Sequence, residues 1–301
     1  MPHRTVSLRR PLDLSLTLWR LVHGPADPTA RLTPAEAWRA TRTPQGSASV
    51  HIRVAAGRVE GEAWGDGADR ALADLPTVLG LGDDPGRLVP RHAVVATLSR
   101  RLRGLRIGAS GAILEALVPA VLEQKVPGPL ARRAHGGLVR AFGEPAPGPA
   151  GRAGMWVPPD PAILAGLPYH AFHRFGVERR RAETIRAAAA RARRLEACAS
   201  LPPSAAARLL RAIPGIGPWT AAEVLATALG DPDAVSVGDF HIPHLVSWNL
   251  AGEPRADDAR MLELLHPYLG QRGRVIRLLE AGGRRPPRFG PRLELRSIAR
   301  I

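Results

Sequence analysis

The sequence predicts a mainly α-helical protein that carries an α+β part, with a small antiparallel sheet, at its N-terminus. Three observations lead there. Apolar and polar residues alternate with the period of a half-buried strand only between residues 12 and 64. Past the turn-rich stretch Gly80-Leu81-Gly82-Asp83-Asp84-Pro85-Gly86 the apolar spacing becomes that of helices. Residues 205–229 then read as a helix, a tight hairpin and a second helix. With 301 residues, 45% of them hydrophobic, the chain exceeds one ordinary core and can fill two or three packed parts. The expected divisions are 1–85 for the α+β domain, 86–281 for the helical region and 282–301 for a basic tail.

Residues 12–18, LDLSLTL, alternate without a break and read as a strand. Residues 48–54 alternate again, Ala56-Gly57 turns the chain, and 59–64 return, which is a hairpin pattern. In 69–79, Leu72, Leu75 and Leu79 fall on one helix face. Trp19, Trp38 and Trp64 lie in this part and are expected in its core. Further on, Ser110 stands where it would cap a helix with the stripe Ile113, Leu114, Leu117, Val118, Val121 and Leu122. Pro119 is expected to kink that helix, which ends near 124–128. A second helix covers 129–142, and the proline- and glycine-rich 143–154 reads as a surface loop. Asp160-Pro161 opens a short helix. The stretch 178–195 reads as one long arginine- and alanine-rich helix whose arginines either face a polyanion or form a solvated face. Two more helices span 257–265 and 274–279, and the arginines of the tail either lie along phosphates or pack loosely.

Forty-two basic residues against 27 acidic ones give a net charge of +15, nearly all from arginine, since Lys125 is the one lysine. A polyanionic partner and an overall arginine-rich composition both account for that excess. The single cysteine, Cys198, excludes an intrachain disulfide and any four-cysteine zinc or iron–sulfur site. No run of about eighteen apolar residues occurs, and MPHRTVSLRR lacks the apolar core of an export signal, so a soluble cytoplasmic protein without a membrane role is expected.

The richest stretch is 213–244, IPGIGPWTAAEVLATALGDPDAVSVGDFHIPH. Pro214-Gly215-Ile216-Gly217 stops a helix with two glycines free to take positive φ, and Pro218 starts the next one at the position where proline loses no hydrogen bond. Gly230 caps it. The first amides of that helix have no intrahelical partner, so Gly215, Gly217 and the nearby Thr220 form a ready phosphate seat. Asp239 immediately precedes the apolar helical run 240–248, where helix amides and dipole suit a carboxylate. Taken locally, it is a capping residue. His241 and His244, three apart beside it, are read as lining a cleft, with a metal pair as the minor alternative.

The hairpin PGIGPWTA followed by VGDFHIP, together with LEQKV at 122–126 and VERRRAETI at 177–185, resembles the helix-hairpin-helix DNA glycosylases, above all the 3-methyladenine DNA glycosylase II branch. The resemblance spans most of the chain. It implies an N-terminal α+β domain, base flipping, and hydrolysis of the N-glycosidic bond of alkylated purines of the 3-methyladenine and 7-methylguanine type in base excision repair. Glycosylases for oxidised, deaminated or bulky bases, and a non-catalytic damage-binding protein, stay open as alternatives. The resemblance makes Asp239 the carboxylate that stabilises charge at C1′ and orients water. Trp219 occupies the place where bifunctional relatives carry a lysine nucleophile, which implies no lyase activity. Either Gln124 or the stem of Lys125 would fill the vacated stack. Glu223 stands where some relatives line the base pocket with tyrosine, and Leu279 falls near their stacking aromatic. The same resemblance implies no required cofactor, no iron–sulfur cluster, and a monovalent cation on the backbone carbonyls of Arg211, Ile213 and Ile216. The expected partner is double-stranded DNA with damaged bases, bound by a monomer associated with a bacterial nucleoid.

Overall fold

The computed structural model describes residues 2–287. Five antiparallel strands, β1 (His3–Ser7), β2 (Ala30–Leu32), β3 (Glu36–Thr43), β4 (Gly46–Ala55) and β5 (Arg58–Trp64), form a sheet in the order β1-β5-β4-β3-β2. Alternate residues of β4 and β5, including Val50, Ile52, Val59 and Ala63, bury one face. Against it lie Leu72, Leu75 and Leu79, as the leucine spacing predicts, at helix α2 (Ala68–Val78).

The alternation in 12–18 is not a strand. The carboxylate of Asp13 accepts the amide of Leu16 at 3.0 Å and starts helix α1 (Leu14–Leu18), in which Leu14 and Leu18, four apart, enter the core together. An N-cap thus overrides a period-two pattern that helical burial of every fourth leucine also satisfies. Strands β1 to β3 carry no clean alternation. Trp38 and Trp64 stack on each other, but Trp19 is 36% exposed, with the guanidinium groups of Arg20 and Arg277 at 5.0 and 5.9 Å from its ring. Trp19 therefore lies outside the core expected for it.

The helical part contains α3 (Ala93–Arg101), α4 (Ile113–Leu122) and α5 (Gly128–Phe142). It is docked to the sheet by Glu115 of α4. That carboxylate accepts the Arg39 guanidinium at 2.9 Å, the Thr41 hydroxyl at 2.8 Å and the Arg42 amide at 2.7 Å. Ser110 does not cap α4. Its first two amides, of Ile113 and Leu114, instead donate to the two oxygens of Glu196, each at 2.8 Å.

Residues 143–154 form more than a surface loop. They contribute strand β6 (Glu144–Pro145) and helix α6 (Pro149–Arg152), and β6 pairs with β7 (Trp156–Val157). Ala146, Ala150, Met155 and Val157 are buried there beneath Trp38. Helices α7 (Pro161–Gly166) and α8 (Tyr169–His173) follow, the first capped by Asp160 as its sequence suggests.

The long helix expected over 178–195 is two, α9 (Arg179–Ala189) and α10 (Ala192–Glu196). Nothing local forces the break at Arg191. It swings Leu195 into the core and brings Glu196 to the N-terminus of α4. Helices α11 (Pro203–Arg211), α12 (Pro218–Val224), α13 (Ile242–Leu250), α14 (Asp258–Leu265) and α15 (Arg272–Gly282) complete the chain. One helical core joins α4, α5, α9, α11 and α12, and another joins α3, α13, α14 and α15. The site lies where these two cores meet the N-terminal segment. Of the basic tail at 282–301, the start belongs to the described part, with Arg284 over the Trp248 ring at 5.3 Å, and residues from 288 lie outside it. No helix among the described residues is long and apolar enough to cross a membrane.

Candidate active site

The hairpin between α11 and α12 is built as its sequence suggests, except in its glycines. Gly215 takes φ +91°, a left-handed conformation, whereas Gly217 is extended at φ −90°, ψ −177° and needs no special freedom. Pro218 opens α12, and after a wider π turn through Leu225–Leu229 the helix ends at Gly230 in the left-handed region. Two outside residues hold the hairpin. The Thr184 hydroxyl donates to the Pro214 carbonyl at 3.3 Å. The Gln124 amide donates to the Gly215 carbonyl at 3.0 Å and to the Thr220 hydroxyl at 2.8 Å. Thr220, read as part of the phosphate seat, is only 2% exposed with that hydroxyl turned inward, so its side chain braces the hairpin from behind. The same bonds commit the Gln124 side chain to the hairpin. Lys125 is exposed at the turn after α4, with φ +53°, a conformation costing about 1 kcal/mol in a residue with a side chain.

Asp239 sits half-buried at the N-terminus of α13. One oxygen accepts the amides of His241 at 2.7 Å and Ile242 at 2.9 Å, and the other accepts the Trp219 indole N–H at 2.9 Å. A carboxylate offers about four lone-pair positions, so three donors fix its plane and leave room for one further ligand on the Trp219 side. The preceding turn is pinned by Asp258, which accepts the Gly238 amide at 2.9 Å. Trp219 thereby joins hairpin and carboxylate directly, a contact that twenty residues of separation conceal in the sequence.

Glu223, four residues beyond Trp219 on the same face of α12, accepts the Ser236 hydroxyl and the Arg20 guanidinium, the latter at 2.8 Å. Arg20 also reaches Glu280 of α15 at 3.2 Å. Burial works against the Arg20 charge, but the two carboxylates outweigh it and hold the guanidinium more firmly protonated than usual. Burial pushes the Glu280 carboxyl up, against the pull of Arg20. Where the resemblance suggests aromatic lining, the floor is thus an ionic cluster. Leu279 is buried in the core of α15 rather than presented to the cleft. Arg20 and Glu280 escaped the sequence reading because no local motif marks them. The one available signal was the polar Glu223 in a position where an aromatic was expected.

Phe240 is 77% exposed beside Asp239, its ring edge-on to His241 and His244 at centroid distances of 5.0 and 5.8 Å. The Nδ1 of His244 accepts the Ala256 amide at 3.2 Å. Among the described residues no group of three or more His, Cys, Asp and Glu stands together where it could hold a metal. At the hairpin, the Ile213 carbonyl accepts the Ile216 amide at 3.1 Å, while those of Arg211 and Ile216 accept nothing among the described residues. These carbonyls retain the lone pairs a monovalent cation would use. A larger hollow of about 810 Å³ lies between the sheet, α2 and α4, but none of the candidate residues line it. Its four acids are engaged: Glu115 and Glu196 by the docking and capping bonds described above, Asp160 by the Ala162 amide and Asp74 by the Arg70 guanidinium.

No protein-family model and no curated protein matches the chain. Solved structures do. A 3-methyladenine DNA glycosylase from Archaeoglobus fulgidus superposes with a TM-score of 0.75 at 20% identity, over 92% of this chain and 97% of that one. An 8-oxoguanine glycosylase/lyase from Clostridium acetobutylicum in its apo form gives 0.70 at 13% identity, over 93% and 96%. The same enzyme in complex with DNA containing cytosine opposite 8-oxoguanine gives 0.68 at 13% identity, over 90% and 91%. Likeness over almost the full length of each chain leaves one conclusion: this protein has the helix-hairpin-helix DNA glycosylase fold, with an antiparallel sheet at its N-terminus.

Proposed function

We propose that the protein is a monofunctional DNA glycosylase of base excision repair that removes alkylated purines. The observation that carries this reading is the half-buried Asp239 carboxylate, oriented by three N–H donors and tied through Trp219 to the hairpin. A target base must leave the stack to be reached, so the backbone next to it has to be gripped. The Gly217 backbone and the first amides of α12 serve that grip, and a cation on the carbonyls of Arg211, Ile213 and Ile216 would add positive charge there. As the base departs, positive charge develops at C1′. Asp239 offsets it and holds the attacking water on its remaining lone pair. An alkylated purine already carries a positive charge that departure neutralises, so it suits a site of this kind. The net charge of +15 supports duplex DNA as the partner.

Water rather than an amine is the nucleophile. The hairpin offers Trp219, whose N–H is given to Asp239, and the one lysine stands on the exposed turn after α4. The test is release of free base from duplexes carrying 3-methyladenine, 7-methylguanine, 8-oxoguanine or hypoxanthine, with borohydride present in parallel. Release of a methylated purine, an abasic strand that breaks only after alkali, and no protein–DNA adduct are expected. An adduct that vanishes in Lys125→Ala would overturn the monofunctional reading. Tight binding without release of any base would favour a damage-binding protein.

A further inference from the structure

Residues 236–239 run antiparallel along one face of α12 and touch it twice. The Ser236 hydroxyl donates to Glu223, and three residues on, Asp239 accepts the Trp219 indole N–H at 2.9 Å. Trp219 and Glu223 share that face four residues apart, so the carboxylates of Asp239 and Glu223 stand about one helical turn apart along α12. A purine is about that long. Each Glu223 oxygen carries a single bond: one accepts the Ser236 hydroxyl, the other the Arg20 guanidinium at 2.8 Å. An ionised carboxylate has about four lone-pair positions, which leaves one open on each oxygen. The Glu223 side chain keeps 21% of its surface exposed against 11% for Arg20, whose Nε is fully shielded, so a ligand there meets the two acceptors rather than the guanidinium. Two adjacent acceptors match two adjacent donors. Guanine offers that pair on the edge remote from its sugar, N1–H and the 2-amino N–H, whereas adenine offers one donor beside one acceptor and hypoxanthine a single donor.

We propose that Glu223 reads the Watson–Crick edge of the flipped base by a two-point contact and makes guanine-derived lesions the substrate class of this cleft. The proposal rests on the glycosylase reading and narrows it. With C1′ at Asp239, the purine lies along α12 towards Glu223, whose two open lone pairs accept N1–H and the 2-amino N–H. Alkylation at N7 puts positive charge on the ring and strengthens both donors. An adenine-derived base turns the lone pair of its N1 against a carboxylate oxygen and is disfavoured. Arg20, held on its far side by Glu280 at 3.2 Å, is a positioning residue that fixes the plane of the Glu223 carboxylate.

Single-turnover release is measured with the full chain on one duplex sequence bearing 7-methylguanine, 7-methylhypoxanthine, which lacks only the 2-amino group, or 3-methyladenine. Each rate is divided by spontaneous loss from the same duplex. The wild type is expected to favour 7-methylguanine over either other base by about 10-fold or more. In Glu223→Gln, whose amide nitrogen opposes one of the two donors, the preference shrinks to about 3-fold or less. In Glu280→Gln, which loosens Arg20 but keeps both Glu223 oxygens, the preference remains. The proposal is overturned if the wild type accelerates loss of 7-methylhypoxanthine or 3-methyladenine as much as that of 7-methylguanine, or if Glu223→Gln keeps the wild-type preference. A preference lost equally in Glu280→Gln would assign it to the ionic cluster at large and overturn the assignment to Glu223. Because the first two duplexes differ only in the 2-amino group, the wild-type comparison decides the claim even where a variant fails to fold. A wild type that releases none of the three bases contradicts the glycosylase reading itself, and this proposal with it.

Discussion

At the hairpin, two glycines that look equivalent in the sequence do different work. Gly215 combines φ +91° with a neighbour, since a methyl group added there would run into the Thr184 side chain that supports Pro214. Gly215→Ala is expected to cost about 1–3 kcal/mol of stability, from the strained φ and the displaced threonine. Gly217 has ordinary dihedrals and open space around its missing Cβ, so Gly217→Ala should leave stability within about 0.5 kcal/mol. The same methyl would stand where a phosphate approaches, and duplex affinity should fall several-fold. Urea unfolding and a duplex titration separate the two. Normal binding by Gly217→Ala would show that the hairpin is not the grip. The turn of the hairpin and the cap that Asp239 makes on α13 were legible because both are local. The inequality of the glycines was not, because Thr184 lies thirty residues upstream of Pro214.

Elements were readable where short-range signals agreed with packing. The turn at Ala56-Gly57, the leucine face of α2, the Asp160 cap and the Gly230 stop all stand as the sequence suggests. They differ from the sequence reading where a cap or a distant partner decided. Over 12–18 the competing signal is local, the Asp13 cap that makes the alternating stretch α1, whereas the break at Arg191 accompanies a distant contact, that of Glu196 with the first amides of α4. That second case is testable. Glu196→Ala removes the acceptor of two α4 amides and should lower stability by about 1–2 kcal/mol, while leaving helix content in the far ultraviolet nearly unchanged. Urea midpoints equal to those of the wild type would show that water replaces the carboxylate and that the break has another cause.

For the molecule as a whole, the cleft is composite. The hairpin and Asp239 come from the two helical cores, Arg20 from the N-terminal segment, and Glu280 from the last helix. Its ionic floor forms only when the N-terminal segment packs against α12 and α15, which is why fold class could be read from periodicity while the pocket could not. The central claim is that this cleft cleaves a glycosidic bond with Asp239 as its charge-stabilising carboxylate. Asp239→Asn tests it most directly, because the asparagine oxygen can still cap α13, although its NH2 replaces the oxygen that accepts the Trp219 N–H. Single-turnover release from a 7-methylguanine duplex, measured beside duplex affinity, should fall by about 100-fold or more while affinity stays within a few-fold of the wild type. Release by Asp239→Asn at the wild-type rate would contradict the account.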